Sequence, residues 1–283
     1  MKNRVVVLGG AGMLGYTLIP ALEKAGWEVL GYDIQDADIT DPRAIHDLIE
    51  AARARFVVHG AAMTDVDGCE SKPDMAYKVN AIGTRNVASA CRDSGVDLLY
   101  ISTDFVFDGE KSTPYIEDDP VGPLSVYARS KEWGERFVRE LTSRHFIVRT
   151  QWLYGPGGKN FVDTMRRLFT EREELKVVAD QVGCPTTTQD LASACVQILD
   201  SGGHGTYHVS CGGEVSWFGF TEAIARLTGY RGRILPTTAR EWNAPAPRPG
   251  YSALRNYHLE LTIGDPCRHW EEALEHHVRH HAV

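Results

Sequence analysis

A strand, a glycine-rich turn and a helix follow one another at the start of the chain. Residues 4–8 read RVVVL, a β-branched run typical of a strand covered on both faces. Gly9, Gly12 and Gly15 come next and open an apolar helical stretch. Small residues let the backbone approach a pyrophosphate, and N–H groups at a helix N-terminus face its charge. We therefore expect a dinucleotide here, contacted by Gly9, Gly12, Met13 and Leu14; a glycine turn without a ligand is the alternative.

Strand and helix patterns alternate through the rest of the first half. Residues 28–33, 56–62 and 97–103 read as strands, with helices predicted over residues 41–52 and 73–91. Helices between consecutive strands imply a parallel sheet with right-handed crossovers, in which ligands bind beyond the carboxyl ends of the strands. The predicted fold class is α/β, with a Rossmann-type doubly wound parallel sheet.

Simple alternation ends near residue 150. Residues 144–155 read as a further strand, and residues 155–169 as a turn that leads into an amphipathic helix. The proline-rich segment EWNAPAPRPGYS cannot be helical throughout and suits the wall of a pocket. We predict an NAD(P)-binding domain over residues 1–150 and a smaller substrate-binding lobe over most of 151–283, with 180–212 returning to the sheet.

An acidic residue ends the second strand. Asp33 can accept hydrogen bonds from both hydroxyls of an adenosine ribose and would repel a 2′-phosphate, which favours NADH over NADPH. A solvated aspartate or a turn cap is the alternative. The other residues expected at the cofactor follow strand ends in the same way: Asp38, Ile39, Ala61, Ala62, Thr64 and Ser102.

The stretch VYARSK, residues 126–131, places Tyr127 and Lys131 four residues apart. On a helix the two side chains would share one face. Reduction of a ketone needs a proton for the oxygen, and a nearby ammonium would lower the phenol's pKa. Thr103, at the end of the strand before this helix, could polarise the same oxygen. By itself this spacing is common on surface helices.

Charge and cysteine content restrict the other partners. The net charge of −8 and the lack of a Lys/Arg block argue against nucleic acid and anionic membranes. No stretch approaches the roughly 18 apolar residues of a membrane span. The six cysteines form no C-x-x-C, which predicts buried thiols in a reducing, cytoplasmic compartment. The histidine-rich residues 276–281 are expected to be a frayed, solvated end without a role.

Longer segments carry a family resemblance. The glycine turn together with Y-x-x-x-K resembles the extended short-chain dehydrogenase/reductases. Within that group, STDFVFDG, VRTQWLYGPGGKNFVDTM, VVADQVGCPTTTQDLA, GTYHVSCGGEVSW and APAPRPGYS are similar to the dTDP-4-dehydrorhamnose reductases. The likeness runs from residue 4 to about Trp270.

The resemblance implies an activity and a set of roles. It implies that NADH or NADPH reduces the C4 ketone of a dTDP-sugar, dTDP-4-dehydro-L-rhamnose. Tyr127 would donate the proton, Lys131 would hold the nicotinamide ribose and Thr103 would bind the carbonyl oxygen. The substrate would further contact Asp104, Val106, Trp152, Asn160 and Arg248.

Two departures from the family pattern stand out. The usual R-T-S-W reads R-T-Q-W here, which puts Gln151 beside the expected sugar pocket. Some members dimerise through a metal held by carboxylates, where this chain has Thr17, Gln189 and Asp190. We therefore predict no metal and no metal-bridged dimer, while a homodimer of another kind stays open.

Two rival functions remain at this stage. The first is another nucleotide-sugar enzyme of the same fold: a 4-ketoreductase that makes a different deoxysugar, an epimerase or a dehydratase. A dehydratase would need additional acid/base groups, commonly Asp-Glu after the threonine, where this chain has Asp104 and Phe105. An epimerase would use the same Tyr and Lys with a cofactor that is not consumed. The second rival is a regulatory subunit that binds a dinucleotide and a partner enzyme without turning over a sugar.

Overall fold

The structure, a computed structural model, describes residues 3–281. The outer limits of the two predicted domains, residues 1 and 283, lie outside the described residues. The first half contains strands β1 (Arg4–Leu8), β2 (Glu28–Tyr32), β3 (Phe56–His59), β4 (Asp97–Thr103) and β5 (His145–Thr150). Its helices are α1 (Met13–Lys24), α2 (Pro42–Ala52), α3 (Val66–Ser71), α4 (Pro73–Ala76), α5 (Thr84–Ser94) and α6 (Val126–Leu141).

One parallel sheet organises the molecule. A later strand, β10 (Gly205–His208), completes six strands in the order β10-β5-β4-β3-β1-β2, and each neighbouring pair is parallel. The chain moves outward from β1 in two directions, so the order reverses beside β1. The predicted Rossmann-type α/β fold is confirmed, and the carboxyl ends of β1, β3 and β4 share one edge of the sheet.

Alternate residues of each strand face opposite cores. Val5 and Val7 pack with Leu18 of α1 on one face of the sheet, whereas Val6 and Leu8 pack with other helices on the opposite face. All four strand residues are fully or almost fully buried. A sheet covered on both faces needs apolar side chains on both, which is why RVVVL is continuous instead of alternating with polar residues.

The long helix predicted over residues 73–91 is not a regular α-helix. A π-helical stretch, Tyr77–Gly83, separates α4 from α5. Asn80 lies in this stretch, is fully buried and exchanges hydrogen bonds with the backbone N–H and C=O of Met63, at 2.8 and 3.1 Å. Its Nδ2 also lies 3.0 Å from the Ser130 Oγ. Asn80 therefore joins the loop after β3 to helix α6.

The strand predicted over residues 144–155 is broken in two. Strand β5 ends at Thr150, and a separate short strand, β6 (Leu153–Tyr154), pairs with β9 (Thr186–Thr187) outside the main sheet. Trp152 lies at the break with φ of 44°. This left-handed backbone conformation is unusual for a bulky residue and turns the chain away from β5.

The second half has its own core. Its remaining elements are helices α7 (Phe161–Glu171), α8 (Thr188–Ser201), α9 (Trp217–Thr228), α10 (Ala239–Trp242), α11 (Tyr257–Thr262) and α12 (Trp270–His280), with strands β7 (Glu174–Val178), β8 (Val182–Gly183), β11 (Val215–Ser216) and β12 (Arg233–Thr237). Tyr154, Phe220 and Trp270 belong to a buried cluster separate from both faces of the main sheet. Strand β10 joins that sheet, as noted; the division into two domains stays a prediction.

The carboxyl-terminal histidines are not a frayed end. Residues up to His280 belong to α12, and His277 is buried with its ring edge-on to Tyr154, at 5.2 Å between centroids. The expectation of a solvated tail was wrong because Leu274 and His277 lie one helical turn apart and both face the second core.

The structure can be compared with two predictions made from composition, buried cysteine thiols and no membrane span. All six cysteines are free; five are buried and Cys267 is half-buried. Within residues 3–281, no helix combines the length and the apolar character that crossing a membrane requires.

Candidate active site

A cleft of about 920 Å³ opens at the carboxyl ends of the central strands. It extends from the glycine turn to the start of α6 and to residues of the second half. The predicted site residues that line it are Gly9, Gly12, Met13, Leu14, Asp33, Asp38, Ile39, Ala61, Ala62, Thr64, Ser102, Thr103, Asp104, Tyr127, Lys131, Trp152 and Arg248. Strands distant in sequence thus bring most of the predicted residues to one place.

The glycine turn fits closely against the strand beside it. Gly9 has φ of +86°, and a Cβ there would lie 2.9 Å from the Ala61 nitrogen. A Cβ on Gly15 would lie 2.3 Å from the carbonyl oxygen of Gly10. Gly12 precedes α1 and provides no side-chain cap. The first N–H groups of α1 therefore receive no cap from the Gly12 side of the helix, and Gly12, Met13 and Leu14 line the cleft, an arrangement suited to a pyrophosphate.

Asp33 connects the end of β2 to the glycine turn. Its Oδ2 accepts a hydrogen bond from the Ala11 N–H at 3.1 Å, and its Oδ1 accepts one from the Ile34 N–H at 2.8 Å. The cleft residues contributed by positions 32–39 include the acids Asp33 and Asp38 and no lysine or arginine. This end of the cleft therefore offers hydrogen-bond acceptors and no cation for a phosphate.

Tyr127 lies in the first turn of α6, as predicted. Ser125 caps the helix, with its Oγ accepting from the Ala128 N–H at 3.1 Å. The Tyr127 ring meets Phe105 edge-on, at 6.1 Å between centroids. Burial raises the pKa of the phenol well above its ordinary value, and contact with the Thr103 hydroxyl only partly offsets this. The side chain is therefore a neutral phenol at physiological pH.

Lys131 is buried one turn further along α6, with 4% of its surface exposed. Its Nζ donates to the Ile101 carbonyl oxygen at 2.7 Å and lies 4.2 Å from the centre of the Tyr100 ring. Burial lowers the pKa of the ammonium to about 7, although the negative charge of Glu135 opposes the shift.

The spacing of Tyr127 and Lys131 predicted that the ammonium would lower the pKa of the phenol. The structure does not show this effect: the pKa of Tyr127 is raised, and burial is the largest cause. The Lys131 ammonium donates to the Ile101 carbonyl oxygen. Burial lowers the pKa of Lys131, so a smaller fraction of the side chain is charged near neutrality. Burial dominates the pKa of the phenol, so the effect of the Lys131 charge on the phenolate stays a prediction.

A buried ion pair lies beneath Lys131. The Glu135 carboxylate accepts two hydrogen bonds from Arg149, at 2.9 and 2.8 Å, and one from the Ser102 hydroxyl at 2.6 Å. Burial alone would raise the pKa of Glu135, but the charge and hydrogen bonds of Arg149, together with the Arg139 charge and the Ser102 hydrogen bond, outweigh it and hold the pKa at about 2. Because its hydroxyl is engaged with Glu135, Ser102 supports the helix that carries Lys131.

Thr103 is the last residue of β4, and Asp104 follows it; both line the cleft. The Thr103 hydroxyl lies 3.1 Å from the Asp104 Oδ1, and both residues are buried. Burial raises the pKa of Asp104 to about 7, against hydrogen bonds that favour the carboxylate. A hydroxyl and a carboxyl that is easily protonated thus lie beside the Tyr127 phenol.

Two aromatic rings form one wall at the far end of the cleft. Trp152 and Trp217 stack at 3.5 Å between centroids with an interplanar angle of 9°, and both line the cleft. Gly183 backs this wall, since a Cβ there would lie 2.7 Å from both the Trp152 ring and the Gln151 Oε1. Trp217 was not predicted from the sequence, because nothing local to residue 217 indicates that it meets residue 152.

Two predicted substrate residues do not line the cleft. Val106 is fully buried in a small cluster with Phe107 and Tyr115. Asn160 caps α7, with its Oδ1 accepting from the Asp163 N–H at 3.0 Å and its Nδ2 donating to the Gly155 carbonyl oxygen at 2.9 Å. Asn160 shapes the loop at residues 155–160, from which Gly157, Gly158 and Lys159 reach the cleft instead.

Arg248 reaches the cleft from the proline-rich segment. Its guanidinium donates to the Asp67 Oδ1 at 3.1 Å and to the Ala246 carbonyl oxygen at 2.9 Å. Asp67 therefore orients the Arg248 guanidinium. Burial would raise the pKa of the Asp67 carboxyl, but the hydrogen bonds from Arg248 and Ala246 hold it below the ordinary value.

The positions at which relatives were expected to hold a metal are engaged in other contacts. The Thr17 hydroxyl lies 2.8 Å from the Thr188 hydroxyl. The Asp190 carboxylate receives hydrogen bonds from Arg268 at 3.0 and 2.7 Å. Among residues 3–281, no group of three or more His, Cys, Asp or Glu side chains is arranged as a set of metal ligands.

Comparison with known proteins agrees with this geometry. Residues 2–283 match the family model described as the RmlD substrate binding domain. The dTDP-4-dehydrorhamnose reductase of Streptomyces griseus is 41% identical over 280 residues, which cover 96% of this chain and 92% of the relative. This chain belongs to the dTDP-4-dehydrorhamnose reductase family.

Other relatives are similar to this chain to a comparable degree. The spore coat polysaccharide biosynthesis protein SpsK of Bacillus subtilis is 40% identical, with 98% of this chain and 97% of the relative covered. The crystal structure of the dTDP-4-dehydrorhamnose reductase of Bacillus anthracis in complex with NADP superposes with a TM-score of 0.96 at 41% identity, covering 99% of this chain and all of that one. The family resemblance deduced from the sequence is thereby confirmed.

Proposed function

We infer that this chain is an NAD(P)H-dependent reductase of a nucleotide sugar. It reduces the C4 ketone of dTDP-4-dehydro-L-rhamnose to give dTDP-L-rhamnose. The observation that carries this conclusion is the meeting of Thr103, Tyr127 and Lys131 in one cleft with the glycine turn, in a chain that matches curated reductases over nearly its whole length.

The cleft fits a nicotinamide dinucleotide. We propose that Gly9, Gly12, Met13 and Leu14 hold the pyrophosphate, because the uncapped N-terminus of α1 opens there. Asp33 and Asp38 would contact the adenosine ribose, and the strand-end residues Ala61, Ala62, Thr64 and Ser102 would line the path to the nicotinamide, with Ile39 packed beside the adenosine end. When bound, this cofactor supplies the hydride.

Proton transfer is the task of the protein side chains. Tyr127 is a neutral phenol at physiological pH, so its proton is available as negative charge develops on the substrate oxygen. Thr103 adds a second hydrogen bond to that oxygen. Lys131, with a pKa of about 7, is partly charged near neutrality and favours the phenolate that remains after transfer.

The second half would supply the rest of the substrate site. Arg248, oriented by Asp67, carries a guanidinium suited to a diphosphate, and the stacked Trp152 offers an aromatic face. Asp104 lies close enough to the reacting centre to contact the sugar. On this proposal residues 151–283 act mainly as a substrate-binding lobe, while β10 contributes to the sheet.

The preference between cofactors is proposed from Asp33. Two acids and no cation line positions 32–39 of the cleft, so a 2′-phosphate would meet negative charge. We propose that NADH is favoured, although the relative from Bacillus anthracis was crystallised with NADP.

The test is consumption of reduced cofactor, followed through nicotinamide absorbance. Purified protein is mixed with dTDP-4-dehydro-L-rhamnose and either NADH or NADPH. Oxidation in proportion to the sugar added is the expected result, and it would exclude an epimerase, which returns its cofactor unchanged. Dinucleotide binding without oxidation by either cofactor would contradict the proposed activity and favour a regulatory role.

A further inference from the structure

Three buried polar atoms beside the reacting centre have no described partner in good hydrogen-bond geometry, although the Ser252 hydroxyl lies near enough to the Asp104 carboxyl to favour its charged form. They are the Thr150 Oγ1, the Gln151 Nε2 and the Asp104 Oδ2. The three residues are between 2% and 7% exposed, and all of them line the cleft. Buried donors and acceptors in folded proteins are normally hydrogen-bonded, so unpaired ones on residues that line a cleft indicate a ligand that satisfies them.

The sheet register explains why they are neighbours. Thr150 is the last residue of β5 and pairs directly with Thr103, the last residue of β4. Asp104 and Gln151 each follow these partners by one residue. The three unpaired atoms therefore belong to two adjacent strand ends, next to the residue proposed to bind the substrate oxygen.

The orientation of the Gln151 amide is fixed by chemistry. The backbone N–H of Cys184 lies 2.9 Å from one end of this amide. A backbone N–H can only donate, so that end must be the oxygen, and the NH₂ group is directed elsewhere. Gln151 thus presents two N–H donors that no described residue uses, at a position next to the Trp152 ring.

We propose that Gln151, with Thr150 and Asp104, forms a recognition subsite for the hydroxyl groups of the hexose, in which the Gln151 amide donates to a ring hydroxyl. The set is chemically matched to a sugar, since an amide donates, a carboxylate accepts and a threonine hydroxyl does both. This inference rests on the proposed function and names the residue that selects which hexose is accepted. Gln151 is a specificity-determining residue, while Tyr127 remains the proton donor.

The test uses binding to the protein saturated with NADH, because a sugar alcohol and a reduced cofactor form a complex that cannot react. Dissociation constants are measured by calorimetry for dTDP-L-rhamnose, its 2-deoxy and 3-deoxy analogues, and dTDP. The parent protein is compared with Gln151→Met, which is similar in size and lacks the amide. The control is Gln189→Met, the same change at an exposed position outside the cleft.

We expect the parent to bind dTDP-L-rhamnose about 10- to 100-fold more tightly than one of the two deoxy analogues. In Gln151→Met this preference should fall to about twofold or less, with affinity for dTDP unchanged within about twofold. The Gln189→Met control should retain the full preference.

Three results would overturn the proposal: an equal loss of affinity for every ligand in Gln151→Met, no loss for any of them, or a parent that does not distinguish the deoxy analogues. The first would show that Gln151 acts only by holding the backbone at Cys184. Failure of the proposed function is separate, because the parent could bind and distinguish these sugars yet oxidise no reduced cofactor.

Discussion

The Lys131 ammonium donates a 2.7 Å hydrogen bond to the carbonyl oxygen of Ile101, a residue of the strand that ends at Thr103. Lys131 is thereby held against the sheet, in a buried position where its positive charge is costly. Burial lowers the pKa of Lys131 to about 7, and the residue lines the cleft. Activity and stability are expected to conflict at this residue.

Replacing Lys131 with methionine should stabilise the protein while removing activity. Because the folded pKa lies below the ordinary 10.5, the folded state disfavours the proton that the unfolded state retains. The free energy of unfolding at pH 7 should rise by roughly 2–4 kcal/mol. The gain should be larger at pH 6 than at pH 9, since the penalty fades as pH rises from about 7 towards the unfolded pKa.

Urea unfolding of parent and variant at the two pH values measures this effect. Lys24→Met, at an exposed position at the end of α1, is the matched control and should change stability by less than about 0.5 kcal/mol. A destabilised Lys131→Met would show that the hydrogen bond to Ile101 outweighs the cost of burial.

Tyr127→Phe should remove the proton donor and leave the fold intact. We expect kcat to fall by about 10²- to 10⁴-fold, the usual contribution of general acid catalysis. Dinucleotide affinity should stay within about twofold, since only one hydroxyl is lost. Stopped-flow absorbance and a binding titration check the two quantities. Tyr16→Phe, at a position that is 60% exposed, is the control, and retention of most activity in Tyr127→Phe would refute the assignment.

Asp33→Asn should shift cofactor preference towards NADPH. Removing the charge relieves repulsion of a 2′-phosphate. The Ala11 and Ile34 N–H groups donate to different oxygens of Asp33, so the single amide oxygen of asparagine can keep only one of these two hydrogen bonds. We expect the ratio of kcat/KM for NADPH to that for NADH to rise about 10-fold. Asp47→Asn, on the exposed surface of α2, should leave the ratio unchanged. If this ratio were the same in Asp33→Asn and Asp47→Asn, Asp33 would not determine the cofactor preference.

Gly183→Ala should disturb the sugar end of the cleft. The new Cβ would lie 2.7 Å from both the Gln151 Oε1 and the Trp152 ring, so one of them must move. We expect KM for the sugar to rise about 10-fold, with a smaller change in KM for the cofactor. Gly212→Ala provides the comparison, because its nearest neighbour would be 3.9 Å away. Equal changes in the two KM values would point to general unfolding of the lobe.

Glu135→Gln should destabilise the protein. Arg149 is 2% exposed and would be left buried without its partner, at a cost of about 3–5 kcal/mol. The folded pKa of Glu135, about 2, lies below the ordinary 4.5. The contribution of the Glu135 carboxylate to the free energy of unfolding is therefore fully present above about pH 4.5 and is lost as pH falls through about 2.

Thermal and urea unfolding at pH 7 and at pH 3 test this prediction, with the difference between variant and parent expected to shrink at the lower pH. Glu171→Gln breaks the exposed pair with Arg167 and should cost less than about 1 kcal/mol. A similar cost in both variants would mean that burial of the Glu135 pair has no special effect.

The sequence by itself determined the fold class, the glycine turn and the position of Tyr127 and Lys131 on one helix face. These features depend on neighbours in the chain: a β-branched strand followed at once by glycines, and two residues separated by four. The sequence also indicated the family, because several long segments of this chain are similar to segments of the dTDP-4-dehydrorhamnose reductases. For the same reason the predicted cofactor and substrate residues that follow strand ends mostly line the cleft.

The tertiary structure alone decided which side chains meet and how each is charged. The break at Trp152, the stacking of Trp217 on it, the ion pair of Glu135 with Arg149 and the π-helical stretch around Asn80 all depend on contacts between distant segments. The pKa of Lys131 followed burial, which spacing along a helix does not reveal. Local patterns fix where a side chain points along its own element, whereas packing fixes the partner and the dielectric that it meets.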